Sequence, residues 1–335
     1  MKNFLEEWNN DSPYVEVKTS GSTGEPKRMR VEKRRMMNSA RITCNFLGLK
    51  HGDTALLCLS TDYIAGKMMV VRALERGMKL VTIEPNGCPE WEGMVDLAAM
   101  VPLQVWNLLH QHPSRLMQIR HLLIGGGAID ERLEEALKDF PNAIWSTYGM
   151  TETLSHIALR RLNGPTASSW YTPFEGVTLS QTEEGCLVIE APAVHDGKLV
   201  TNDIAELSTV NSQLSTQQFR ILGRKDNVIC SGGVKIQMEE VERMLRPHLS
   251  IPYIITRARD ERLGETVVLL MEGGNPDEAK TVCQRVLPKY WQPHRFLSVV
   301  RLPLTETGKP ARAEAERLVQ KNGDHPHGYP PPIGY

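Results

Sequence analysis

The sequence predicts an α/β fold: a large domain on a mostly parallel sheet, a small β region within it, and a smaller α+β domain after it. Three observations carry this. Residues 15–150 alternate short apolar runs with segments of helical spacing, residues 170–222 break into brief β-like runs, and beyond Gly223 helix and strand patterns mix again. Strands alternating with helices form a parallel sheet covered on both faces.

Thr54–Ser60 (TALLCLS) reads as a buried strand. Ile64–Arg76 follows with helical spacing, and Gly77 stands where a left-handed C-cap belongs. Met78–Glu84 and His121–Gly125 read as further strands. Asp130 is placed to cap a helix whose Leu133, Ala136, Leu137 and Phe140 fall at i, i+3, i+4 and i+7, and Ala143–Thr147 is the fourth strand. Val177–Ser180, Cys186–Glu190, Ala205–Leu207 and Phe219–Leu222 are separated by Gly, Pro and Asn, the pattern of a largely antiparallel region. Further on, a helix over Met238–Leu249 is followed by strands near 251–257 and 266–272, a helix near 277–287 and a strand near 296–301. The boundary is expected at Gly223–Asp226, giving a large domain over 1–223, a second over 224–325 and a flexible Pro/Gly-rich tail over 326–335.

A chain of 335 residues has room for two domains. Its net charge of -1 offers no bulk field for nucleic acid or an anionic membrane, so phosphate binding must come from a local site. Six scattered cysteines lack any CxxC pair or zinc spacing, as expected of reduced thiols in the cytoplasm. The start MKNFLEEWNN is polar and acidic, unlike a secretory signal, and no apolar run approaches a membrane span. Neither a nucleic-acid nor a membrane partner is expected. The oligomeric state is left open, a homo-oligomer being compatible.

Four segments carry chemistry. Thr19-Ser20-Gly21-Ser22-Thr23-Gly24-Glu25-Pro26-Lys27 combines hydroxyls that donate to phosphate oxygens, glycines that admit close backbone approach, and a lysine, yet it is not a Walker A loop. Its composition is also that of a solvated turn. Ser146–Thr153 (STYGMTET) follows a strand, where α/β sheets hold ligands, and Glu152 there is a candidate Mg²⁺ ligand, although Thr151 as a helix cap explains the turn equally. Gly125-Gly126-Gly127 can form a flat ligand shelf or simply a tight turn. Asp203, with Arg224 in the later run Phe219–Asn227, suits ribose hydroxyls, or is a surface pair. Lys309, in Pro303–Lys309, is a loop lysine without weight by itself.

In this order the segments resemble the adenylate-forming superfamily of acyl-CoA synthetases, peptide-synthetase adenylation domains and luciferases. Thr19–Lys27 looks like the family's phosphate loop and Tyr148–Thr153 like its Tyr-Gly-x-Thr-Glu element. Asp203, the Gly223–Asp226 hinge, Ser231-Gly232-Gly233-Val234-Lys235-Ile236 and Lys309 match later elements. Within the family the compact form is most similar to the 2-succinylbenzoate–CoA ligases of menaquinone biosynthesis, through Tyr63–Lys67 and Thr151–His156. Departures are visible. Only eighteen residues precede the phosphate loop, so most of the family's N-terminal subdomain is expected to be absent. Tyr63 takes a position often held by His, and Thr-Gly-Asp reads Thr201-Asn202-Asp203.

The resemblance implies an acid–thiol ligase that uses ATP, Mg²⁺ and coenzyme A. Thr19, Ser20, Gly21, Ser22, Thr23, Gly24 and Lys27 would hold the ATP phosphates, with Thr151 at the α-phosphate and Glu152 on the metal. Gly125, Gly126, Gly127, Thr147 and Tyr148 would flank adenine, and Asp203 and Arg224 would hold ribose. Tyr63, Lys67, Gly149, Ser155 and His156 would line the acyl pocket, with Lys67, Ser155 and His156 facing the second carboxylate. Lys309 would bridge acid and nucleotide. Rotation about Lys225–Asp226 would then bring Ser231, Gly232, Gly233 and Lys235 to the acyl group for the thioester step. Other aromatic acids, a carrier-protein acceptor and a non-catalytic nucleotide binder are the competing readings.

Overall fold

The computed structural model describes residues 1–18, 28–127, 129, 131–208, 217–305 and 310–321. The chain divides into two compact units, Met1–Thr201 with Ala205–Ile221, and Asn202–Ile204 with Leu222–Tyr335.

The first unit is organised by a seven-stranded sheet. Its order is Lys79–Thr82, Thr54–Leu57, Val95–Met100, Ile119–Ile124, Ala143–Gly149, His156–Arg161 and Thr172–Pro173. The first five strands run parallel, and His156–Arg161 turns back antiparallel against Ala143–Gly149 with a register shift between Tyr148 and Gly149. Side chains alternate between faces along a strand. Leu57, Leu97 and Leu123 therefore enter one core with Met36, Ala40 and Cys44 of helix Lys33–Phe46 and Met68, Met69 and Val71 of helix Ile64–Arg76. Leu56, Ala98 and Leu122 enter the other, with Val105 and Leu108 of helix Pro102–Gln111 and Leu133 and Leu137 of helix Glu131–Leu137. Both faces are covered, as continuous apolar strands require.

Helix Ile64–Arg76 has the bounds that its spacing predicts, and Gly77 closes it at φ 66° and ψ 40°. The strand expected over Thr54–Ser60 stops at Leu57, and that expected over Met78–Glu84 covers Lys79–Thr82. The expected helix after residue 130 spans Glu131–Leu137, while Asp130 itself lies outside the described residues. Several elements were not anticipated: helices Lys2–Asn9, Lys33–Phe46 and Pro102–Gln111, strands Val95–Met100 and His156–Arg161, and the hairpin of Tyr14–Lys18 with Arg28–Glu32. The β-like runs form a four-stranded sheet in the order Thr178–Gln181, Cys186–Glu190, Lys198–Leu207, Phe219–Arg224.

The second unit carries a five-stranded sheet of Val234–Gln237, Val228–Ser231, Gly264–Glu272 and Tyr253–Asp260, with Arg295–Val299 added in parallel on Gly264–Glu272. Its main core joins Ile229, Ile236, Val267 and Leu269 to Met238, Val241 and Leu245 of helix Met238–Leu245 and to Ala279 and Cys283 of helix Pro276–Val286. Leu270 and Ile254 pack instead with Ala315 of helix Arg312–Lys321. All six cysteines are free. No helix among the described residues is long and apolar enough to cross a membrane.

Helix Ile64–Arg76 starts hard against the preceding loop, for a Cβ on Gly66 would meet the Ser60 carbonyl oxygen at 2.2 Å. Gly66→Ala should destabilise the protein by about 1–3 kcal/mol, read as a lower thermal midpoint. Gly87→Ala, whose added Cβ meets only the Asn107 amide at 3.4 Å, is the control expected to stay near the parent.

Candidate active site

The C-terminal ends of the parallel strands collect the predicted nucleotide elements of the first unit. Gly125–Gly127 leaves strand Ile119–Ile124, and Thr147, Tyr148 and Gly149 end the neighbouring strand, the two being in register at Ile124 and Ser146. They press together: a Cβ on Gly125 would meet Thr147 Oγ1 at 2.4 Å, and Gly126 adopts φ +77°. A side chain at Gly125 would displace Thr147, so the two strand ends can meet this closely only through bare backbone. The Tyr148 ring stands edge-on to Phe219, centroids 5.0 Å apart, and lies 5.9 Å from Tyr171, whose hydroxyl meets Ser146 Oγ at 2.7 Å.

After Gly149 the chain makes a short 3₁₀ turn over Thr151–Thr153. The Thr153 hydroxyl lies 3.0 and 2.8 Å from the carbonyls of Met150 and Ser155, which share its one proton, and accepts the Met150 N–H. Thr151 and Thr153 are buried while Glu152 is partly exposed. Leu154 is the one non-glycine at positive φ among the described residues, at φ 64°, yet it is buried. Strained backbone persists where packing over-determines it, commonly beside ligands. Among the described residues nothing holds the Glu152 carboxylate, and no group of three or more His, Cys, Asp or Glu could hold a metal. A lone carboxylate fits Mg²⁺ bound mainly by water and phosphate.

Beyond this turn lies a buried polar cluster that sequence reading found only in part. Arg72, in the middle of helix Ile64–Arg76, is 2% exposed. Its Nη2 donates to Ser155 Oγ at 2.5 Å and its Nη1 points to Met69 Sδ at 3.8 Å, while Nε has no partner. No carboxylate pairs with it among the described residues. Burial pulls its guanidinium down to about 10, which still leaves it cationic at neutral pH. Ser155 Oγ meets His156 Nδ1 at 3.3 Å, and His156 Nε2 meets Thr43 Oγ1 at 3.0 Å. Burial first, and the Arg72 charge second, hold the His156 imidazole well below its usual range and hence neutral. Arg72 and Thr43 were not anticipated.

The placement of Lys67 corrects the expectation that it joins Ser155 and His156. Lys67 is buried on another side of the same helix. Its Nζ donates to the Glu16 carbonyl at 2.6 Å, pairs with Glu7 at 3.4 Å and lies 5.0 Å from the Phe4 ring centre. The five-residue step from Lys67 to Arg72 turns the helix by more than one full turn and separates the two heads. Tyr63 begins the helix and bridges Lys18, at the end of strand Tyr14–Lys18, in parallel fashion. Gly149 is pinned to the cluster, since a Cβ there would meet the Ser155 carbonyl oxygen at 2.3 Å.

Thr19, Ser20, Gly21, Ser22, Thr23, Gly24 and Lys27, like Lys309, lie outside the described residues. Their flanks are described. Lys18 and Arg28 pair across the hairpin, and Leu304 pairs with Pro310.

In the second unit Asp203 is buried and Arg224 Nη1 reaches it at 3.2 Å. Arg224 Nη2 also pairs with Asp226 at 3.0 Å, and the Asn202 amide donates to Asp226 at 3.0 Å. Lys225 and Asp226 are exposed in the turn Lys225–Asn227. Ser231 and Val234 pair across a two-residue turn in which Gly232 and Gly233 both take positive φ, 55° and 85°. That turn demands left-handed backbone at both positions. Lys235 follows on the exposed side.

An open parallel sheet with a glycine shelf and a carboxylate turn at its strand ends is a nucleotide-binding arrangement. A family profile for AMP-binding enzymes matches residues 3–190. The chain belongs to that adenylate-forming family. It is 28% identical to the 2-succinylbenzoate–CoA ligase of Geobacillus kaustophilus over 347 residues, a match covering 90% of this chain and 69% of that one. An acyl-CoA synthetase (AMP-forming)/AMP-acid ligase II-like protein of Dyadobacter fermentans is 30% identical, with a TM-score of 0.61 and coverage of 95% and 92% of the two chains. The o-succinylbenzoate CoA synthetase of Bacillus subtilis in complex with its acyl-adenylate shares the fold at TM-score 0.74 and 22% identity, covering 90% of this chain and 68% of that one.

A buried cation without a counter-ion costs stability. Arg72→Met removes that cost at similar volume, so its thermal midpoint should equal or exceed the parent's. A drop of many degrees would mean that Arg72 serves the fold instead.

Proposed function

We propose that the protein joins a carboxylic acid, 2-succinylbenzoate, to AMP and then passes the acyl group to coenzyme A. The single observation that carries the choice of acid is Arg72, a buried guanidinium beside Ser155 with no carboxylate paired to it among the described residues. Such a group calls for an anionic ligand. An acid with two carboxylates satisfies it, one being held while the other reacts. The names of the relatives point to the same acid.

In the first step the free carboxylate attacks the α-phosphorus of ATP and pyrophosphate leaves. Positioning and charge stabilisation provide the catalysis. Thr19–Lys27 would hold the outgoing phosphates and Thr151 the α-phosphate. Glu152 would hold Mg²⁺, which neutralises developing charge. Gly125–Gly127, Thr147 and Tyr148 would receive adenine, Asp203 and Arg224 would receive ribose, and Lys309 would bridge acid and nucleotide. In the second step the thiol of coenzyme A attacks the acyl carbon and AMP leaves. The turn at Ser231–Lys235 would serve this step after rotation about Lys225–Asp226.

The test is pyrophosphate release from ATP and Mg²⁺ with 2-succinylbenzoate, benzoate and a fatty acid, with and without coenzyme A. Release with the dicarboxylate, turning over only when coenzyme A is present, is the expected result. Activity with benzoate at the same kcat/KM would rule out the role given to Arg72. Equal turnover without coenzyme A would point to another acceptor. Arg72→Gln should cost about 2–4 kcal/mol in kcat/KM for the dicarboxylate. Lys309→Ala should abolish adenylation yet spare thioester formation from supplied acyl-AMP. Equal loss in both half-reactions would refute a role confined to the first.

A further inference from the structure

Three elements meet at Arg72, joined by a line of hydrogen bonds. Thr43 lies on helix Lys33–Phe46, with its hydroxyl 3.1 Å from the Ser39 carbonyl one turn back and 3.0 Å from His156 Nε2. His156 Nδ1 lies 3.3 Å from Ser155 Oγ, which accepts from Arg72 Nη2 at 2.5 Å. In either tautomer of the neutral imidazole both ring nitrogens have a partner, one donating and one accepting. The Phe174 ring, 5.6 Å from the imidazole, packs against this arrangement.

We infer that His156 is a positioning residue for the acid-binding guanidinium: anchored by Thr43 on one ring nitrogen, it orients the Ser155 hydroxyl with the other, and Ser155 in turn aims Arg72. This rests on the role proposed for Arg72. A guanidinium that bonded a free-swinging hydroxyl would have several orientations, and ordering it on binding would weaken the acid's affinity. Here the order is set beforehand by hydrogen bonds within the protein. Ser39 and Thr43 are buried, His156 is 9% exposed, and no carboxylate lies in the chain of bonds to compete for the arginine.

The experiment compares 2-succinylbenzoate with 3-benzoylpropionate, which has the same ketoacid arm without the ring carboxylate. His156→Phe keeps the ring volume and removes both hydrogen bonds. Thr43→Val keeps the shape and removes the hydrogen-bond partner of His156 Nε2. Each should raise KM for the dicarboxylate about tenfold with kcat nearly constant, and leave kcat/KM for 3-benzoylpropionate unchanged. His156→Asn, which can still accept from Ser155, should recover part of the loss. Equal effects on both acids, or none on either, would overturn the inference. Should His156→Phe not fold, Thr43→Val decides alone. Arg72→Gln separates the two levels: if it fails to discriminate between the acids, the reading of Arg72 falls, whereas if it discriminates and the His156 and Thr43 variants do not, only the positioning role falls.

Discussion

The constraint on which this site turns is the burial of Arg72 with no carboxylate paired to it among the described residues. The chain places a cation within a helix whose residues 66–73 are all buried, after two methionines and two valines, and among the described residues its partners are a serine hydroxyl and a thioether. Desolvating a charge is expensive, and proteins normally pair it. Ser155, His156, Thr43 and Ser39 form a line of neutral partners that orients the guanidinium without quenching its charge. The neutrality of His156 belongs to the same logic, since a second cation beside Arg72 would raise the cost further.

The fold supplies this site through its strand ends. Parallel strands deliver the glycine shelf and the Thr147–Gly149 end side by side, and the reversal of direction at His156–Arg161 brings Ser155 and His156 back beside helix Ile64–Arg76. Glycine is required here for contact as much as for backbone freedom. At Gly125 and Gly149 a Cβ would strike Thr147 or the Ser155 backbone. The strained Leu154 lies between Glu152 and Ser155, so the same turn that presents the carboxylate also sets the start of the polar line.

Much of this was legible in the sequence. Helix Ile64–Arg76 and its Gly77 cap were readable because spacing and cap agree, and the strand ends were readable where Gly follows an apolar run. Strand Val95–Met100 escaped because VDLAAM carries an aspartate and two alanines, and its burial comes from neighbours on both sides. The segments proposed to hold the nucleotide are local in sequence and could be singled out there. The cluster proposed to hold the acid is not local, since Thr43, Arg72 and Ser155 come from three elements. Its signal was an arginine in MMVVRALE, where apolar residues surround the helix on every side. Lys67 drew attention instead because it lies in the motif, yet the hairpin and helix Lys2–Asn9 claim it through Glu16 and Glu7, and nothing in the motif foretells them.

The most direct test of the account is calorimetric binding of two non-hydrolysable sulfamoyl adenylates to the wild-type protein, one built on 2-succinylbenzoate and one lacking the ring carboxylate. Both carry the same nucleotide, so their difference isolates the buried cation. The account predicts that the analogue without the carboxylate binds at least about tenfold more weakly, as expected for losing a charge-assisted contact. Equal affinity would show that Arg72 does not hold the acid.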